Sequence, residues 1–250
     1  MPEALAEALA TPGFLWIVAA TFVAGAVYGF AGFGAALVFM PVATVFLAPA
    51  AAIATLGLIA IASILTLVPP AWRQADKRAT LGMIGTALVT MPLGVAVLRV
   101  ADPTLLRWGV TGLASVCLGA LLLGWRRTGP DTVAARAAIA GASGFFGGSV
   151  GLNGPILVLF HLSGRMPVAV SRANTIVFLS MTGLAVLPFL ALQGLLDGAA
   201  IALGLLLCLP YALGGLFGQA LFRPGQEQLY RNVAYTIIGA AILIGLPVWV

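Results

Sequence analysis

Long apolar stretches separated by short polar and charged loops dominate the pattern of this 250-residue chain. Several of them match the roughly 20 residues that a helix needs to cross about 30 Å of hydrocarbon. None alternates between apolar and polar positions, as a membrane β-strand would. The pattern therefore predicts an all-α integral membrane protein. The stretches cover residues 14–47, 50–69, 80–99, 104–124, 136–162, 171–192, 198–221 and 230–249.

Composition strengthens this prediction. Hydrophobic residues make up 62% of the chain and charged residues only 8%, against roughly 25% charged in a soluble domain. The net charge of +5 comes from basic residues scattered over short loops, which form no stripe for a nucleic acid. Cys117 and Cys208 lie in apolar stretches without metal-ligand spacing. We expect the lipid bilayer as a partner, no nucleic acid, and neither metal nor cofactor.

The chain also reads as two related halves, residues 1–127 and 128–250. Each half contains four apolar stretches. The first stretch of each half contains a glycine-rich motif that is followed by a proline. The motif of the first half spans Gly29 to Gly34 and leads to Pro41, and that of the second spans Gly144 to Gly148 and leads to Pro155. A duplicated unit explains this recurrence most simply.

The first stretch of each half has an unusual length for a membrane helix. Residues 14–47 are too many for one crossing, and residues 136–162 are too few for two. Glycine adopts backbone angles that other residues avoid, so we expect breaks at Gly32–Gly34 and Gly147–Gly154. We interpret both stretches as re-entrant broken hairpins, because irregular backbone at membrane depth needs protein or a water-filled cavity around it.

The distribution of basic residues favours this interpretation. If every stretch crosses the membrane, the twelve basic residues divide equally between its two sides. If the two hairpins dip in and return, all except Arg99 and Arg107 share one side, as the cytoplasmic excess of Lys and Arg requires. Each half then has three transmembrane helices, and this odd number makes the two halves inverted repeats.

The positions of the acidic residues point to the charge of the solute. All of them lie in loops or near the termini, namely Glu3, Glu7, Asp76, Asp102, Asp131, Asp197 and Glu227. Cation and proton transporters usually keep an ionisable residue at membrane depth. An anion needs none, because the N-terminal ends of broken helices attract negative charge.

The predicted substrate-binding residues are therefore the break glycines and the uncharged or basic polar residues near them. They are Gly32, Phe33, Gly34, Thr55, Gly148, Ser149, Asn153, Gly154, His161, Arg172, Asn174 and Thr175.

Several of these residues also have a purely structural explanation. His161 lies near the end of its stretch and could cap the hairpin in the headgroup region, and Arg172 could be an orientation charge. Asn174 and Thr175 could join neighbouring helices by hydrogen bonds. Glycines such as Gly144 and Gly148 could simply allow close packing of helices.

An intramembrane serine protease is the alternative from another class. Residues 141–144 spell GxSG, and Ser143 could pair with His161, the chain's only histidine. The two residues lie within one hairpin stretch, however, and short motifs arise easily by chance in a chain with 31 glycines. We therefore expect no catalytic residue and no enzymatic activity.

The paired segments Gly29–Pro41 and Gly144–Pro155, each at the start of a four-stretch half, resemble those of the TauE/SafE sulfite exporter family. The resemblance extends over roughly residues 14–248, and the second helix of the family is recognisable at Ala52–Thr55. It implies transport of sulfite, sulfoacetate or another organosulfonate across the bacterial inner membrane, often outward. Phe33 and Ser149 depart from the usual glycine-rich pattern of the family.

The sequence thus predicts a multi-pass exporter of small sulfur-containing anions that works by alternating access between two inverted repeats. A passive anion channel stays open as an alternative, and so does the choice between a monomer and a homodimer.

Overall fold

The computed structural model describes residues 2–125, 132–162, 167–221 and 227–249. Within these ranges every regular element is helical, as the sequence predicts. The first half contains α1 (Pro2–Leu9), α2 (Phe14–Ala31), α3 (Ala35–Phe46), α4 (Pro49–Thr66), α5 (Val68–Gln74), α6 (Lys77–Val100) and α7 (Pro103–Leu122). The second contains α8 (Val133–Val150), α9 (Gly154–Leu162), α10 (Val168–Leu192), α11 (Gly198–Leu221) and α12 (Glu227–Ile244), followed by a 3-10 turn at Pro247–Trp249.

Seven of the described helices are long and apolar enough to cross a membrane: α2, α4, α6, α7, α8, α10 and α11. Their outer faces carry exposed large apolar side chains such as Leu15, Val89 and Leu209. A water-soluble protein of this size does not leave so many such side chains outside. The protein is therefore a multi-pass membrane protein with lipid around its outer surface.

The first apolar stretch is a helical hairpin. Helix α2 ends at Gly32 and α3 begins after Gly34, and both glycines have positive φ angles of 78° and 96°. A side chain at either position would be strained in this left-handed conformation. Phe46 at the end of α3 packs against Gly13, which precedes α2. The two ends of the stretch therefore lie together, and the break falls where the sequence predicts it.

The second stretch is also interrupted, at Gly151–Asn153 between α8 and α9. Gly151 ends α8 with a φ of 73°, and its N–H donates to the carbonyl of Phe146. This break lies inside the predicted window, but α8 continues through Gly147, Gly148 and Ser149.

The two prolines that follow the glycine motifs occupy different positions in their helices. Pro41 lies within α3, whereas Pro155 is the second residue of α9. The first turn of a helix tolerates proline because the missing N–H would have no helical partner there.

Most other helix boundaries agree with the sequence pattern, and two differ. The stretch predicted at 50–69 is divided into α4 and the short α5, which contains Pro69 and Pro70. The last helix begins at Glu227 and ends at Ile244, earlier than the predicted 230–249. Proline at position 247 cannot donate a backbone hydrogen bond to continue the helix.

The first arm of each hairpin packs against a helix of the other half. Helix α2 lies along α11, and α8 lies along α6. Both interfaces are built on backbone contact: a Cβ at Gly29 would collide with the carbonyl of Gly215, and a Cβ at Gly144 with that of Ala87. Small residues allow two membrane helices to approach this closely. The glycine motifs therefore serve packing as well as the breaks.

The centre of the bundle contains α4 and α10, which pack against each other. At their crossing, a Cβ at Gly57 would lie 2.9 Å from the carbonyl oxygen of Gly183. This close approach brings the middle of each helix next to the hairpin breaks.

We predict that Gly94→Ala destabilises the protein, because the added methyl group would collide with the Phe145 carbonyl between α6 and α8. Overpacking of this kind costs about 1–3 kcal/mol. Gly85→Ala is the matched control on the same helix, since a Cβ there meets nothing within 4 Å. Thermal unfolding of the detergent-solubilised protein should show a lower midpoint for Gly94→Ala alone. Equal midpoints for both variants would contradict the proposed interface.

Candidate functional site

A cavity lies where the two hairpin breaks meet the central helices α4 and α10. The cavity has a volume of about 60 Å³. At about 10–15 Å³ for each water molecule, this space suits a solute of a few non-hydrogen atoms. Its polar side chains come from both halves of the chain: Tyr28, Ser63, Asn153, Ser180, Thr182 and Tyr211.

Two helix N-termini border this cavity. Its lining includes Gly34 and Ala35 from the start of α3, and Asn153 and Gly154 from the start of α9. The first N–H groups of a helix have no partner within that helix, and in α9 they exclude Pro155, which has no N–H. Each N-terminus also carries about half a positive charge from the aligned peptide dipoles. The cavity therefore has two sources of positive potential without any cationic side chain in its lining.

Asn153 connects the second break to α10. Its Nδ2 donates to Thr182 Oγ1 at 2.9 Å and to the Leu179 carbonyl at 3.4 Å. Because the Thr182 hydroxyl itself donates to the Phe178 carbonyl at 2.7 Å, its oxygen can only accept from Asn153. This contact fixes the orientation of the Asn153 amide at the edge of the cavity.

A cluster of three hydroxyl groups lies on another side of the cavity. Ser63 Oγ and Ser180 Oγ are 2.7 Å apart, and Tyr28 Oη lies 3.2 Å from Ser180 Oγ. Tyr28 Oη also donates to the Ile176 carbonyl at 3.1 Å. All three side chains are buried. The cluster joins the first hairpin to both α4 and α10 next to the cavity.

Arg172 lies outside the cavity lining, close to the first break. Its guanidinium donates through Nη2 to the carbonyl of Gly29, and its aliphatic part packs against Gly32. A cation at this position complements the negative C-terminal end of α2. Arg172 thus stabilises the break at the C-terminal end of α2.

The other predicted site residues divide between the cavity and its surroundings. Gly34, Asn153 and Gly154 line the cavity. Gly32, Phe33, Thr55, Gly148, Ser149, Arg172, Asn174 and Thr175 do not belong to its lining. The side chain of His161 lies outside the described residues.

Asn174 has a specific structural contact, since its Oδ1 accepts from the backbone N–H of Asp76 at 2.8 Å. Thr175 donates to the Ser171 carbonyl at 2.8 Å, and Ser149 to the Phe145 carbonyl at 2.9 Å. The Asn174 contact joins α10 to the start of α6, as in the structural alternative for Asn174, whereas this Thr175 contact lies within α10. Thr55 is fully buried, and no group in the described ranges accepts or donates a hydrogen bond to its hydroxyl.

No acidic or basic side chain contributes to the cavity lining among the described residues. The remaining lining is apolar, with Ile53, Leu56, Val158, Leu179 and Val186 among its members. Such an environment attracts an anion only through neutral donors and helix dipoles.

A sequence profile described as Sulfite exporter TauE/SafE matches residues 17–244. The chain belongs to the TauE/SafE family. This family consists of membrane transporters, in agreement with the prediction of a transport protein that is not an enzyme. No curated protein matches the chain, and no solved structure does. The GxSG motif is accordingly a packing element of this TauE/SafE protein, and Ser143 is completely buried in α8.

The sequence analysis did not identify several polar residues that line the cavity of this TauE/SafE protein. Tyr28, Ser180, Thr182 and Tyr211 were not among the predicted site residues. Each is a polar residue within a long apolar stretch, and that position is a usable signal because buried polar groups in membranes are costly without partners.

We predict that Ala36→Leu abolishes solute binding, because Ala36 lines the cavity beside the start of α3 and a larger side chain would fill the space. Ala96→Leu is the control, since Ala96 is an exposed residue of α6 and gains the same volume on the outer surface. Binding measured by calorimetry with a sulfonate solute should be lost in the first variant only. Undiminished binding in Ala36→Leu would place the solute elsewhere.

Proposed function

We propose that this TauE/SafE protein exports a small sulfur-containing anion, such as sulfite, sulfoacetate or another organosulfonate, across the bacterial inner membrane by alternating access. The observation that carries this proposal is the convergence of two helix N-termini, those of α3 and α9, on one cavity. Helix N-termini bind anions through their free N–H groups and dipoles. The described cavity lining adds no carboxylate that would repel a negative solute.

The proposed mechanism needs two inverted repeats, each composed of a re-entrant hairpin and three transmembrane helices. In this arrangement α2 and α8 are hairpin arms, and α12, whose apolar part Arg231–Ile244 is shorter than the seven helices above, is the last transmembrane helix. The reciprocal packing of α2 on α11 and α8 on α6 supports this arrangement, because equivalent helices of the two halves have equivalent partners. The second arms α3 and α9, with 12 and 9 residues, are too short to cross about 30 Å of hydrocarbon. Rocking of one half against the other would expose the central cavity alternately to each side.

Export is energetically the simplest direction for an anion. An inside-negative potential of 100 mV favours outward movement of a monoanion by about 2.3 kcal/mol. This corresponds to a concentration ratio of roughly 50. No coupling ion is required for such transport, and the described cavity lining offers no carboxylate to bind one.

Counterflow in proteoliposomes tests the function. Vesicles loaded with unlabelled sulfite or sulfoacetate should accumulate the labelled solute transiently. A carrier exchanges unlabelled solute moving outward for labelled solute moving inward. A passive anion channel lets the labelled solute equilibrate down its own gradient and gives no transient accumulation. Absence of any flux for sulfur-containing anions, with the protein correctly folded, would refute the proposal.

Accessibility tagging tests the topology. We predict that tags at Arg126 and Arg165 react from the cytoplasmic side and a tag at Arg99 from the opposite side, because both hairpins return to the side from which they enter. Arg126 and Arg165 lie outside the described residues. Labelling of intact cells and of inverted vesicles with an impermeant reagent measures the difference. Arg99 and Arg126 on the same side would contradict the inverted repeat.

A further inference from the structure

We propose that the corner between α5 and α6, residues 72–85, is a binding site for an anionic phospholipid. The corner consists of the end of α5, the turn at Ala75 and Asp76, and the first turns of α6. None of its residues belongs to the cavity lining. The inference therefore goes beyond the proposed function and does not depend on the identity of the solute.

An excess of positive charge is the first observation. Arg73, Lys77 and Arg78 are all exposed. Asp76 is the only acidic residue of the corner, and its carboxylate caps α6 by accepting from the N–H of Ala79 at 3.1 Å. Three basic residues and one acidic residue leave the corner with a net charge of +2.

The depth of the corner in the bilayer is the second observation. Helix α6 has 24 residues, which makes it about 36 Å long at about 1.5 Å per residue. The hydrocarbon layer is only about 30 Å thick. Lys77 and Arg78 at the start of α6 and Arg99 near its end therefore lie at the headgroups on opposite sides. Leu81, which is 51% exposed, marks the beginning of the lipid-facing surface below Arg78.

An aromatic side chain occupies the same corner. Trp72 is partly buried, and the Nζ of Lys77 lies 5.7 Å from the centroid of its ring. This distance is within the range of a cation–π interaction. Tryptophan is typical of the boundary between hydrocarbon and headgroups. The contact keeps the charge of Lys77 close to that boundary.

The face of α6 below the basic residues has room for an acyl chain. Gly82 and Gly85 are exposed, and a Cβ at either position would meet nothing within 4 Å. Arg78, Gly82 and Gly85 follow one another at helical spacing on one side of α6. A chain that begins at the headgroup level can therefore lie against the helix.

The surroundings of the protein determine what covers this face. Lipid surrounds the outer surface of the bundle, so the occupant of an exposed corner at the headgroup level is a lipid. Basic residues at the membrane surface attract anionic headgroups. Phosphatidylglycerol carries a net negative charge that complements the corner, whereas phosphatidylcholine carries a compensating cation of its own.

Native mass spectrometry of the purified full-length protein tests this inference. Phosphatidylglycerol and phosphatidylcholine with identical acyl chains are titrated separately. Phosphatidylglycerol should bind about tenfold more tightly or better, since each basic residue at the surface contributes roughly fivefold. Equal binding of the two lipids would overturn the proposal. Displacement of phosphatidylglycerol by inorganic phosphate at the same concentration would also overturn it, because the occupant would then be a free anion.

Charge removal at the corner tests the location of the site. The double variant Arg73→Gln, Arg78→Gln should reduce the preference for phosphatidylglycerol by about tenfold or more. Arg99→Gln is the matched control, because Arg99 is an exposed arginine at the other end of α6, and it should retain the preference. A preference that survives the double variant, or an equal loss in Arg99→Gln, would contradict the proposed site. If the double variant does not fold, the comparison of the two lipids with the unaltered protein still decides the question.

Discussion

The structure depends on a constraint that the bilayer imposes on backbone hydrogen bonds. Inside hydrocarbon, an N–H or C=O group without a partner is costly, so a helix can stop at depth only where protein or water satisfies its end. This chain stops helices at two neighbouring places, after Ala31 and after Val150. The carbonyl ends are satisfied locally, by the N–H of Gly32, the N–H of Gly151 and the guanidinium of Arg172. The N–H ends of the next helices border the cavity.

The surrounding helices hold the two breaks in a fixed position relative to each other. Reciprocal interfaces between α2 and α11 and between α8 and α6 are made through glycine and backbone, so they leave little freedom for sliding. The contacts of Tyr28 with Ser180 and of Asn153 with Thr182 attach both breaks to the single helix α10. A movement of α10 would therefore act on both ends of the site together. This coupling is compatible with the proposed alternating access between the two halves.

Much of this architecture could be predicted from the sequence, because it depends on local rules. Stretch length and hydropathy predicted the helices, and glycine clusters predicted breaks near Gly32 and Gly151, where only glycine avoids strain. Asn153 and Gly154 were identified as site residues because they lie within such a cluster.

The remaining part of the site could not be predicted in this way, since it depends on which helices become neighbours. Nothing local distinguishes Ser180, which joins the hydroxyl cluster, from Asn174, which binds the backbone of Asp76. Both are polar residues of the same apolar stretch, and only the packing of α10 against α2, α4 and the start of α6 separates their roles.

A crystal structure with bromomethanesulfonate tests the central claim most directly, because anomalous scattering locates the bromine independently of the protein density. The account predicts a single strong bromine site between α4 and α10, with the sulfonate oxygens within hydrogen-bonding distance of the N–H groups that begin α3 and α9. Bromine bound only at the loop arginines, with the cavity holding no ligand, would contradict it.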